Sequence, residues 1–77
     1  MTDPIEPLEG ALRASPENVP LRLYLATLLS DGGYWARALD HYRLILEIEP
    51  ANLDANLGLG KACLNAGDAA GAVRALN

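Results

Sequence analysis

Gly58-Leu59-Gly60-Lys61 has the residue types of a phosphate-cradling loop, in which glycine N–H groups and a lysine ammonium hold an anionic ligand. The Walker arrangement also requires glycine five residues before Gly60 and serine or threonine after Lys61, where this chain carries Ala55 and Ala62. The segment lies inside an apolar pattern of helical period, so helix packing accounts for its small residues better than phosphate does. His41 has the chemistry of a general base, yet no nucleophile or orienting carboxylate stands at a suggestive spacing. Asp40 is its sequence neighbour, and adjacent residues of a helix do not face each other, so His41 reads as an exposed helix residue. Cys63 is the single cysteine and reads as a small buried apolar residue, with no partner for a disulfide and no His/Cys cluster of metal-ligand spacing. The expectation is therefore no catalytic residue, no metal, no cofactor and no enzyme activity.

Six basic against ten acidic residues give a net charge of −4 and a pI near 4.6. Arg13, Arg22, Arg37, Arg43, Lys61 and Arg74 are spread singly, so no basic patch favours a phosphate backbone or an anionic lipid surface. Neither nucleic acid nor membrane is expected as a partner. The start Met1-Thr2-Asp3-Pro4-Ile5-Glu6-Pro7 lacks the basic and apolar regions of a signal peptide, and the lone cysteine suits a reducing, cytoplasmic setting.

The elements that must position these residues are helices. Hydrophobic residues make up 51% of the chain, Ala and Leu dominate, and Phe is absent, a composition that favours an all-α fold over a sheet. The organising feature is a period of 34 residues: Pro16-Glu17-Asn18 returns as Pro50-Ala51-Asn52, Leu23 falls on Leu57, Leu25 on Leu59, Gly33 on Gly67, Ala36 on Ala70 and Ala38 on Ala72. Ile5, Leu8, Ala11 and Leu12 form one face of a short first helix within 4–14, and at the same offset they fall on Leu39, Tyr42, Ile45 and Leu46. A second helix runs from about Val19 to Ser30, with Asn18 as its cap, Pro20 in its first turn and Asp31-Gly32-Gly33 as its stop. A third runs from about Tyr34 to Glu47, with Trp35, Ala38, Leu39, Tyr42, Ile45 and Leu46 on one stripe. The next spans about Leu53 to Asn65, and Ala66-Gly67-Asp68 is expected to end it and open a last helix holding Ala69, Ala72, Val73 and Leu76. The whole is one domain, residues 1–77: a leading half repeat at 4–14, a complete repeat at 19–50 and a truncated second repeat at 53–77.

A helix-turn-helix unit of this period, with small residues where helices cross and proline after the second helix, resembles the tetratricopeptide repeat (TPR). Leu25-Ala26, Gly33, Ala38, Tyr42 and Pro50 carry the likeness in the first unit, and Leu59-Gly60, Gly67, Ala72 and Leu76 in the second. The resemblance implies a helical solenoid of about five helices in antiparallel pairs, stacked as a right-handed superhelix. Two departures stand out: Arg22 and Asn56 replace the bulky aromatic usual near the start of each first helix, and Cys63 stands where a larger ring is common. The family lines a concave groove with the first helix of each pair, which here would present Pro20, Leu23, Tyr24, Thr27, Ser30 and Asp31, then Asp54, Leu57, Gly58, Lys61, Leu64 and Asn65. Lys61 would be the only cation, so a carboxylate clamp of the chaperone-binding kind is not expected.

The resemblance implies a non-catalytic scaffold or adaptor that binds a peptide or protein segment through Leu23, Tyr24, Thr27, Asp31, Asp54, Leu57, Lys61 and Asn65. Two alternatives are self-association into a homo-oligomer through apolar terminal helices, with Ile5, Leu8, Ala72 and Leu76 at the ends, and a helical-repeat segment of a larger enzyme or regulator such as an ATPase.

Overall fold

The structure, a computed structural model, describes the backbone of residues 4–75 and the side chains of residues 4–66. Its described part is all helical: α1 (Ile5–Ala14), α2 (Val19–Asp31), α3 (Trp35–Ile48) and α4 (Leu53–Ala75). Each helix packs on the next, and α2 also touches α4.

The period reappears as hydrogen bonds. Asn18 Oδ1 accepts from Leu21 N–H at 3.1 Å to cap α2, and Asn52 Oδ1 accepts from Ala55 N–H at 2.9 Å to cap α4. Each capping asparagine is itself held by a turn, Asn18 N–H donating to Ser15 O and Asn52 N–H to Glu49 O, both at 3.0 Å. Pro20 sits in the first turn of α2, where its missing N–H costs nothing. The end of α2 is a Schellman motif: Tyr34 N–H donates to Leu29 O at 2.8 Å, Gly33 N–H donates to Ser30 O at 3.1 Å, and Gly33 takes φ +84°.

Burial follows the helical stripes. On α2, Val19, Leu25, Ala26 and Leu29 are buried while Leu21, Leu23 and Leu28 are partly so, as a helix with neighbours on more than one side requires. On α3 the buried set is Ala38, Leu39, Tyr42 and Ile45, with Trp35 and Leu46 packed against it. Ala55 and Ala62 turn α4 toward α3.

Four expectations change. The break at Ala66-Gly67-Asp68 does not occur, because α4 runs on to Ala75, giving four helices among the described residues. This stretch is rich in alanine, the best helix former, and a lone Gly67 costs only about 1 kcal/mol relative to alanine. By contrast α2 ends on two successive glycines. The side chains of Ala69, Ala72 and Val73, and the whole of Leu76, lie outside the described residues. Cys63 is exposed rather than buried, since among the described residues no helix folds back over that side of α4. For the same reason Gly60 has open space around it, although it is the periodic mate of the buried Ala26. Ile5 is buried and Leu8 half-buried, so the N-terminal helix does not offer them as an uncovered end.

Candidate functional site

On α2 the residues Pro20, Leu23, Tyr24, Thr27 and Asp31 recur at spacings of three and four, and on α4 so do Asp54, Leu57, Lys61 and Asn65. Tyr24 is 56% exposed and Leu57 64%, large values for apolar side chains. Thr27, Asp31, Asp54 and Lys61 are exposed, and Leu23 and Asn65 are half-buried. Thr27 Oγ1 donates to Leu23 O at 2.9 Å and Asn65 Nδ2 to Lys61 O at 2.9 Å, so both polar groups are partly committed to their own helix. Asp31, Asp54 and Lys61 enter no ion pair among the described residues.

Two members of the wider face differ from expectation. Ser30 is buried, because it falls on the side of α2 that carries Ala26 and Leu29. Gly58 lies under the ring of Tyr42: a Cβ there would come within 2.3 Å of Tyr42 Cζ. That close crossing of α3 and α4 explains a glycine at 58 without any phosphate.

A second cluster was hidden from the sequence reading. Arg22 is only 8% exposed, and its Nη2 donates to Pro16 O at 2.9 Å while its Nη1 donates to His41 Nδ1 at 3.0 Å. A guanidinium can only donate, so Nδ1 of His41 must hold its lone pair and the ring proton must sit on Nε2. His41 is half-buried rather than exposed, and burial lowers its pKa below the ordinary histidine value, with the Arg22 charge adding in the same direction. Arg22 Nε is buried with no hydrogen-bond partner. Glu9 of α1 pairs with Arg37 of α3 across the same region. The period did contain one signal for this cluster: Asn56, the mate of Arg22, donates from Nδ2 to Pro50 O at 3.2 Å, just as Arg22 does to Pro16 O. Both polar side chains thus take the position of the family's aromatic and tie the helix start to the preceding turn.

Among the described residues there is no group of three His, Cys, Asp or Glu side chains fit to hold a metal, and no helix long and apolar enough to cross a membrane.

Capped helices that pack in sequence order and repeat their hydrogen bonds at a fixed offset define a helical-repeat protein. A family model described as tetratricopeptide repeat matches residues 33–77, more than half of the chain, and the chain belongs to that family. Neither the curated proteins nor the solved structures give a match. Repeats of this family generally mediate protein–protein interaction and are typically non-catalytic.

Proposed function

We propose that this chain is a non-catalytic interaction module that binds a peptide or extended protein segment along the face formed by α2 and α4. The observation that supports it is the pair of exposed apolar side chains, Tyr24 and Leu57, flanked by Asp31, Asp54 and Lys61, none of which is spent on an internal ion pair. Two carboxylates beside an apolar floor favour a segment with an apolar anchor next to a cation. The exposed free thiol of Cys63 agrees with a reducing, cytoplasmic setting.

Selection of displayed random peptides on the 77-residue chain tests this reading. Enriched peptides should bind saturably, and Tyr24→Ala with Leu57→Asp should abolish binding while leaving the far-ultraviolet circular dichroism intact. Enrichment of nothing, or binding indifferent to both substitutions, would sink it.

Self-association is a second reading, supported by Leu53, Leu57 and Leu64 on α4, all strongly exposed. Sedimentation separates the two: a monomer at high concentration excludes an obligate dimer.

A further inference from the structure

Arg22 lies on the opposite side of α2 from Tyr24 and Asp31, since two and nine residues at 3.6 per turn bring both roughly half a turn away. On that side a cleft of about 400 Å³ opens between α1 and α3, lined by Glu9, Leu12, Arg13, Pro16, Arg22 and His41. We propose that this cleft binds a monocarboxylate with a small apolar body, its carboxylate held by the guanidinium groups of Arg22 and Arg13.

The charge balance of the lining carries the argument. Arg22 is nine-tenths buried, yet its two acceptors, Pro16 O and His41 Nδ1, are both neutral. Two of its five N–H donors are used there, and Nε has no partner at all. A buried cation without a counter-charge is costly, and a carboxylate reaching its edge would offset that cost. Arg13, a second cation of the lining, enters no ion pair among the described residues. The one carboxylate of the lining, Glu9, is already engaged by Arg37. In a chain of net charge −4, two arginines that pair with no carboxylate among the described residues therefore line one cavity. The net charge of −4 opposes a dianion such as phosphate more than a monoanion, which favours a single negative charge. Leu12 and Pro16 supply an apolar wall, and the volume falls at the small end of ligand pockets. The site is independent of the α2/α4 face.

Sodium hexanoate titrated into the 77-residue chain, with hexanamide as its uncharged analogue and sodium chloride at matched ionic strength, provides the test. The Arg22 Nε–H resonance should shift saturably with hexanoate alone. A carboxylate in the cleft also favours the protonated imidazole, so the titration midpoint of His41 should rise when hexanoate is bound. Arg13→Gln, at an exposed position where folding is not at risk, should weaken binding about tenfold through the loss of one charge-assisted contact. A parallel arm uses an acetylated tripeptide ending in leucine with a free carboxylate, beside its amidated twin. Saturation by that peptide assigns the carboxylate to a protein C terminus, and saturation by hexanoate alone assigns it to a free acid. No saturable shift with either carboxylate, equal shifts with hexanamide or chloride, or an Arg13→Gln variant that binds unchanged would overturn the proposal.

Discussion

His41 can accept from Arg22 only while Nδ1 is unprotonated, which ties this contact to pH. Burial is the largest cause of its lowered pKa, the Arg22 charge is next and Arg37 acts in the same sense, while Glu9 and Asp40 act against them. In the unfolded chain the imidazole returns to its ordinary value near 6.5. On acidification from that value the unfolded state takes up a proton that the folded state refuses until its own lower pKa is reached. The stability due to this group is thus present above pH 6.5 and declines below it. The urea midpoint should fall between about pH 7.5 and pH 5.5, and His41→Gln, which keeps a side-chain acceptor but does not titrate, should fall less. The same decline in both proteins would remove His41 as its cause. Gly58 makes a steric claim at one atom: Gly58→Ala places a methyl against the Tyr42 ring and should cost about 1–3 kcal/mol, while Tyr42→Leu in the same chain should recover part of it. Gly60→Ala, with nothing within 4 Å to meet, should instead stabilise α4 by about 0.5–1 kcal/mol. Urea denaturation of the two alanine variants checks the opposite signs.

Helix ends were the part of the fold most readable from the chain, because their signals are local. Asn18 and Asn52 cap where the period places them, and Asn18→Ala or Asn52→Ala should each cost about 1 kcal/mol. Gly33 alone among the described residues has positive φ, so Gly33→Ala should cost about 1–2 kcal/mol, read as a lower melting temperature by circular dichroism. The failures were non-local. Whether Gly67 ends a helix depends on whether a later segment gains by folding back, and an isolated glycine between Ala66 and Asp68 is too weak a stop to decide that alone. Cys63 and Gly60 took their expected burial from a helix that would have covered them. Arg22 and His41 are nineteen residues apart on different helices, and only the convergence of α1, α2 and α3 reveals that one accepts from the other. Of the wider α2/α4 set named from the period, Ser30 is buried and Gly58 packs under Tyr42, so both belong to helix contacts, while Tyr24, Thr27, Asp31, Asp54, Leu57 and Lys61 are exposed.

In a stack where each helix packs mainly on its chain neighbours, the cost of a substitution depends on how many interfaces share the residue. Leu25 is fully buried on α2, the helix that touches α1, α3 and α4, so truncating its side chain weakens the centre of the array. Leu64 is 72% exposed on α4 and supports no internal contact of comparable weight. A buried leucine reduced to alanine costs about 2–5 kcal/mol through lost transfer energy and the cavity left behind. A chain of 77 residues has a total stability of only about 4–12 kcal/mol, so Leu25→Ala removes a large share of it. Leu64→Ala should stay within about 0.5 kcal/mol of the parent chain. Trp35, half-buried at the start of α3 and the single tryptophan, reports the unfolding of this centre by its fluorescence. In urea the Leu25→Ala transition should move to much lower denaturant or be lost, while that of Leu64→Ala should coincide with the parent. A Leu64→Ala protein as unstable as Leu25→Ala would mean that the open side of α4 is covered in solution, which sedimentation of the parent chain would then show as a dimer.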